Sequence, residues 1–401
     1  MKVLLANKFF YMNGGSEKVF FQERDFLLRK GIRVIDFSMK DPRNFQSPYA
    51  KHFVSNIDYY SSEGGWREIR KAATFIHSPE AVSKIRRLIQ NGEPDIAHLH
   101  NIYHQLTPSI ISVLKKSGVK VVLTLHDGKL ICPNYLMLAR GRICTRCNGH
   151  LFWKPVATNC TGSLRQVLLL MLEAYWHQWA RSYDRVDLFL SPSRFLAELI
   201  SQRIPKEKIK VLHNGIDLES YRPSYNDHGY VLYFGRLSKE KGIETLLQAH
   251  QAVANETTLK VVGTGPLASD LKQRYQEAEF LGYRSGEALK EIVANAAFVV
   301  VPSEWYENCP MVVLEAMAMG KPVIGSAIGG IPEQIDHGRT GFLFEMGNVG
   351  ELAEKIKILS ENNDMRRHMG MAARKKVEEA YALDAHCTTL MQIYKEVLSQ
   401  N

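Results

Sequence analysis

The chain lacks any apolar run near the ~18–20 residues that a helix needs to cross a bilayer, so no spanning helix is predicted. It also lacks the apolar stretch of a secretory leader. The short run after Met1 is broken by Asn7 and Lys8, well before the ~7–15 residues such a leader carries. Residues 3–6 read instead as a first buried strand, which places the protein in the cytoplasm with its six cysteines reduced. There is no short tandem repeat and no low-complexity tract. With 45% apolar and 23% charged residues, the composition is far from that of disordered or collagen-like chains. The turn Gly263-Thr264-Gly265-Pro266 does not complete a G-x-G-x-x-G, because position 268 is Ala; this disfavours a dinucleotide enzyme. Acidic residues are scarce in one half only. Residues 1–190 hold 27 Lys and Arg against 15 Asp and Glu, whereas the remainder holds 24 against 27. A basic half calls for an anionic partner: phosphate, nucleic acid or anionic lipid. No nucleic-acid-binding motif is visible, so nucleic acid is not expected.

What is present is a regular alternation. The 401 residues suit two domains. Apolar runs at 3–6, 34–37, 96–100, 119–125, 188–191 and 209–212 form one series, and runs at 231–234, 259–262, 298–301 and 322–325 a second. Helical periodicity lies between them, at 243–253, 267–277 and 289–296, and continues at 349–360, 364–380 and 384–399. Unbroken apolar strands alternating with helices predict parallel sheets covered on both faces, an α/β fold of two doubly wound domains. The polar stretch 222–229 reads as the linker, giving an N-terminal domain of residues 1–220 and a C-terminal domain of residues 221–383.

The strongest chemical signal is Glu307-Asn-Cys-Pro-Met-Val-Val-Leu-Glu315, after the apolar run 298–301. Pro310 suits the first turn of a helix, where its missing N–H does no harm. Cys309, Pro310, Met311 and Val312 then form a helix N-terminus, whose free amides and dipole suit a phosphate. Glu307 precedes the helix and Glu315 lies about two turns inside it, on the same side. One carboxylate can accept from sugar hydroxyls and the other from a ribose diol. Read alone, two glutamates at this spacing are unrelated surface residues. Arg236 and Lys241 flank a glycine-containing turn after the strand at 231–234. A cation pair there can neutralise a departing diphosphate; the plain alternative is two solvated loop cations.

These segments resemble the retaining glycosyltransferases of family four, which have the GT-B fold of two facing Rossmann-like domains with a cleft between them. The resemblance rests on Glu307 to Glu315, on Phe234-Gly-Arg-Leu-Ser-Lys-Glu-Lys-Gly242, on Gly263-Thr-Gly-Pro266, on the segment from Gly325 to Leu343 and on His213-Asn-Gly-Ile-Asp217. It covers essentially the whole chain. It implies that Arg236 and Lys241 hold the donor diphosphate, that Gly263 lies near the nucleotide base, and that the last helix, about 384–401, packs back on the first domain. It also implies that the loop of Gly14 and Gly15 meets the sugar and diphosphate from the opposite domain. Read on its own, Asn13-Gly-Gly-Ser-Glu17 is equally a plain turn with a Ser N-cap. His126 ends the apolar run 119–125, where open α/β sheets bind ligands; the family has a His there that touches the transferred sugar. The family needs no divalent cofactor for transfer, and the chain has no Asp-x-Asp in the right setting.

Three features remain. His98, His100 and His104 suggest a metal or packed, pocket-lining histidines; the absence of a second ligand set favours packing. His100 and Asn101 are candidates for acceptor contact. Cys132, Cys144, Cys147 and Cys160 contain one C-x2-C pair. They read as a structural zinc site, as reduced thiols in an insertion, or as a redox pair. Basic residues cluster at Arg67, Arg70 and Lys71 and at Lys84, Arg86 and Arg87, and the segment 164–179 is rich in Leu and Trp. Together they suit an anionic membrane surface carrying a lipid-linked acceptor; for the segment alone, an ordinary buried helix is the expectation. The reading is a hexosyl transferase that takes a nucleotide-diphosphate sugar and adds to a lipid-linked or surface glycan, with His126, Arg236, Lys241 and Glu307 at the chemistry. The alternatives are an epimerase or hydrolase on the same fold, and a non-catalytic sugar-nucleotide-binding protein.

Overall fold

A computed structural model describes residues 1–59, 64–253 and 257–400. The chain divides into two compact units. The first comprises residues 1–140, 144–212 and 387–401, and the second residues 141–143 and 213–386. The division at 212/213 lies upstream of the polar stretch 222–229. That stretch is tied into the second unit instead: the Ser224 amide donates to the Met319 carbonyl, the His228 amide to the Asn295 carbonyl, and Arg366 pairs with Asp227 at 3.1 Å.

The first unit is built on six parallel strands in the order Arg33–Phe37, Lys2–Ala6, Ile96–Leu99, Lys120–Thr124, Leu188–Ser191, Ile209–Val211. In the strand Lys2–Ala6 the apolar residues have no face to give to water: Val3, Leu4, Leu5 and Ala6 are all fully buried. The amphipathic helix Gly15–Arg29 follows the first strand and buries Val19, Phe20, Phe21, Phe26 and Leu27. The helix Leu383–Ser399 contributes Leu390, Ile393, Tyr394 and Val397 to the same core as Val3, Leu5 and Ile96. Its apolar spacing is what lets it cover this sheet.

The second unit repeats the plan with a different strand order: Glu279–Gly282, Thr258–Val262, Tyr230–Phe234, Phe298–Val301, Val323–Ser326, Gly341–Phe344, again all parallel. Numbered within the unit this is 3-2-1-4-5-6, the order of dinucleotide-binding sheets. The strand order reverses between Tyr230–Phe234 and Phe298–Val301, the point at whose carboxyl ends open α/β sheets bind ligands. The edge strands Glu279–Gly282 and Gly341–Phe344 are absent from the apolar series read in the sequence. Each is a short edge strand with half-exposed residues, which leaves no unbroken apolar run to read. No helix among the described residues is long and apolar enough to cross a membrane.

Candidate functional site

In the second unit the candidate residues gather at the reversal of strand order. The strand Tyr230–Phe234 ends at Gly235, and the loop then carries Arg236, which is solvent-exposed, and Lys241. Gly242 has φ +64, and a Cβ there would lie 1.8 Å from the Pro302 carbonyl oxygen. Only glycine allows this approach, and the approach lays Lys241 against the loop after Phe298–Val301. Lys241 Nζ donates to Glu307 Oε1 at 2.6 Å, and Ser303 Oγ donates to the same oxygen at 2.8 Å. Lys241 also stands 4.9 Å above the Trp305 ring.

Burial pushes the Glu307 carboxyl up, but the charge and hydrogen bond of Lys241, with Ser303, outweigh it and hold the group below its ordinary value. Glu307 is therefore an ionised acceptor. Its backbone is fixed too: Gly330 N donates to the Glu307 carbonyl at 2.7 Å, and a Cβ on Gly329 would lie 2.2 Å from that oxygen.

The helix predicted from Met311 spans Met311–Ala318, with Pro310 at its N-cap and no side chain capping it. The first-turn amides, including those of Met311 and Val312, have no acceptor within the helix. Buried residues surround most of this helix, and Val312 and Glu315 form its half-exposed stripe. That spacing of three puts Glu315 on the same face as Val312. Cys309 is buried: its carbonyl accepts from Asn214 Nδ2 at 3.0 Å, and Gln334 Nε2 reaches its sulfur at 3.4 Å. Burial pushes its thiol up to about 12, which makes it an unreactive packing group. Gly263 packs on the neighbouring turn, where a Cβ would meet the Gly235 carbonyl oxygen at 1.9 Å.

In the first unit the strand order also reverses, between Lys2–Ala6 and Ile96–Leu99. Gly14 and Gly15 lie exposed where the helix Gly15–Arg29 begins. Gly14 is at the N-cap, and Ser16 falls inside the first turn, so a Ser N-cap is not formed; its hydroxyl donates to Glu17 Oε1 at 3.1 Å. Glu17 also accepts from Asn7 Nδ2 at 3.2 Å, and Asn101 Nδ2 donates to Ser16 Oγ at 3.1 Å. A polar network therefore braces the glycine loop.

His126 lies beyond the strand Lys120–Thr124, with Nε2 2.9 Å from His100 Nδ1 and the two rings stacked. Burial, and then the neighbouring His100, push His126 down to about 3, so the ring is neutral at working pH. Behind it, His100 Nε2 is 3.4 Å from the buried Glu23 Oε2. His126 is thus held against His100, which packs against Glu23. His126, Asp127, Asn101 and Tyr103 line one small pocket. Beneath it, Lys129 pairs with the buried Glu173 at 2.6 Å. His98 is fully buried, with one nitrogen 2.7 Å from the Tyr394 hydroxyl and the other 2.7 Å from Thr124 Oγ1. His104 stacks on Phe75, and burial pushes it down to about 4.

The sequence reading did not single out Ser303 or Glu23, and it named Gly242 only as the end of a motif. The two glycine-rich loops could have pointed to Gly242; nothing local marks Ser303 or Glu23. The helix Leu164–Trp179 departs from the expected buried helix. It buries Val167, Leu170, Glu173 and His177 but exposes Leu164, Leu168, Leu172, Trp176 and Trp179.

Residues 13–220 match the family described as Glycosyltransferase Family 4, and residues 220–376 match Glycosyl transferases group 1. The sulfoquinovosyl transferase SQD2 of Arabidopsis thaliana is 30% identical over 213 residues, 48% of this chain and 41% of the relative. An uncharacterized glycosyltransferase of Methanocaldococcus jannaschii is 27% identical over 322 residues, 78% of each chain. The alignments with the first relatives span about half of their length. Among solved structures, sucrose-phosphate synthase from Thermosynechococcus elongatus superposes with TM-score 0.73 at 20% identity, covering 100% of both chains. HepE of Anabaena, solved with UDP and glucose, superposes with TM-score 0.68 at 19% identity over 99% of this chain and 100% of that one. Both family matches, together with the paired six-stranded parallel sheets, establish that the chain belongs to glycosyltransferase family 4 and has the GT-B fold.

Proposed function

We propose that the chain transfers a hexose-type sugar from a nucleotide-diphosphate sugar to a glycan acceptor, with retention of anomeric configuration. The observation that carries this reading is the Lys241–Glu307 ion pair at the strand-order reversal, one loop away from the helix Met311–Ala318. In the proposed reaction Arg236, Lys241 and the amides of Met311 and Val312 neutralise the departing diphosphate. Glu307, ionised and held by Lys241 and Ser303, accepts from donor sugar hydroxyls, and Glu315 accepts from the ribose. On the first unit, His126 offers a neutral imidazole to a sugar. Neither glutamate is the nucleophile: the acceptor oxygen attacks the anomeric carbon on the face from which the diphosphate leaves. A phosphate oxygen of the leaving group takes the acceptor proton. No metal is needed for this transfer, because the cations and amides supply the countercharge.

For the acceptor, the first unit offers an apolar surface. The exposed stripe of Leu164, Leu168, Leu172, Trp176 and Trp179 runs along one helix, and Trp66 and Ile69 are exposed on the helix Gly65–Ile76 packed beside it. The exposed Arg67, Arg70 and Arg165 lie on the same two helices. Tryptophan and leucine framed by cations suit the headgroup region of an anionic bilayer, which supports a lipid-linked acceptor.

A thermal-shift screen of UDP-, GDP- and ADP-sugars tests the donor reading, since a ligand bound only by the folded protein raises Tm. HepE binds UDP and UDP-glucose, so UDP-sugars are screened first. One class should raise Tm, and the rise should disappear in Glu307→Ala. No rise with any nucleotide-sugar or nucleoside diphosphate would sink the proposal.

A further inference from the structure

The segment between His126 and the helix Leu164–Trp179 has little regular structure. Its elements are two strands of two residues each and the five-residue helix Lys154–Thr158. Five non-glycine residues within it adopt positive φ: Tyr135, Met137, Arg140, Asn148 and Asn159. Such a backbone conformation persists only where its surroundings impose it. Only a small set of side chains here, including Met137, Cys147 and Phe152, is fully buried. A segment this short on core needs a cross-link.

Backbone hydrogen bonds bring the four cysteines of this segment into one neighbourhood. The Cys144 amide donates to the Met137 carbonyl at 2.8 Å, and the Arg140 amide donates to the Cys160 carbonyl at 3.2 Å. The Gly149 amide, two residues past Cys147, donates to the carbonyl of Ile131 at 3.2 Å, beside Cys132. Cys147 hydrogen-bonds Cys132 through sulfur, and Cys144 and Cys160 lie in the same neighbourhood. The amides of Asn134 and Met137 point at the Cys132 sulfur, as amides do around a thiolate ligand. None of the four is in a disulfide.

We propose that Cys132, Cys144, Cys147 and Cys160 bind one structural zinc ion as thiolates. The donor set is four soft sulfurs with a central C-x2-C, and no position is left open for water or substrate. Binding releases the thiol protons to solvent, and no sulfur is oxidised. The cation draws the four sulfurs into a tetrahedron. This gathering is required, because among the described residues Glu23, His98 and His100 bring three ligand atoms within 4.8 Å of one another and no three of these thiols do. That trio is a worse site: it is fully enclosed, and both His98 nitrogens already face hydroxyl groups. The zinc braces the chain that leaves His126 and enters the helix Leu164–Trp179, without touching the reacting atoms.

The test is the metal content of the full chain, purified without a histidine tag, dialysed against excess zinc and then against buffer. Mass spectrometry of the elements should find about one zinc per chain. Cys144→Ser and Cys147→Ser should each lower that content at least severalfold, whereas Cys387→Ser, which lies outside the segment, should not. Because a cysteine variant can fail to fold, cobalt exchanged into the unaltered protein gives a second reading. Tetrahedral thiolate ligation should appear as intense sulfur-to-cobalt absorption in the near ultraviolet. Metal-free protein with six titratable thiols would overturn the proposal. So would peptide mapping that finds disulfides among the four. Neither outcome bears on donor binding, which the nucleotide-sugar screen reads separately.

Discussion

Replacing Lys241 by Met removes the cation 2.6 Å from Glu307 and keeps most of the apolar stem. Breaking a buried ion pair by removing one partner costs about 3–5 kcal/mol, because a charge is left unpaired. The Lys241 side chain is 27% exposed, and Ser303 still donates to the carboxylate, so a smaller loss of about 2 kcal/mol is expected. The pH dependence gives the sharper signature. In the native protein the folded pKa of Glu307 is depressed, so its contribution is present above the unfolded pKa. It is lost as the pH falls through the folded value. Without Lys241, burial becomes the largest influence and raises the folded pKa above the unfolded one. The sign then reverses: the carboxyl destabilises the variant at neutral pH, and stability returns as the pH falls towards about 5. Adding Glu307→Gln removes the buried charge and should recover about half of the loss at neutral pH. Urea denaturation of the four proteins of this cycle between pH 5 and 8 reads the effect. Hydrogen exchange in peptides from the strand Tyr230–Phe234 confines it to the second unit. An equal loss at both ends of that pH range, or a double variant no more stable than Lys241→Met, would refute the reasoning.

Two further outcomes follow from the first unit. Lys129→Met leaves Glu173, whose side chain is 1% exposed, with only His104 at 3.6 Å; thermal or urea unfolding should show a loss of about 3 kcal/mol. His126→Asn should lower kcat roughly tenfold, the worth of one hydrogen bond at ~1.4 kcal/mol. Since burial holds His126 near pKa 3, the kcat profile between pH 5 and 8 should carry no limb from it, and a limb abolished by His126→Asn would contradict the neutral-ring assignment.

Much of the framework was legible in the sequence because its signals are local. Buried central strands read as unbroken runs of Val, Leu and Ile. The helix at Met311 was marked by Pro310, and the last helix by its spacing of apolar residues. The same locality explains the misses. Glu279–Gly282 and Gly341–Phe344 sit at the sheet edges and need no continuous apolar run. The exposed stripe on Leu164–Trp179 was invisible because composition does not say which face of a Leu-rich helix its neighbours cover.

The candidate site divides in the same way. The sequence alone determined which residue types were available, Arg236, Lys241, Glu307 and Glu315 among them, and that each followed a strand or opened a helix. That much is set by chain-local sterics, by proline and glycine, and by periodicity. Only the tertiary structure decided that Lys241 and Glu307, 66 residues apart, share a hydrogen bond, that Ser303 completes it, and that Glu23 stands behind His100. The reason is strand order. Tyr230–Phe234 lies between Thr258–Val262, the next strand in sequence, and Phe298–Val301, the third after it, and no local pattern encodes which strand ends become neighbours.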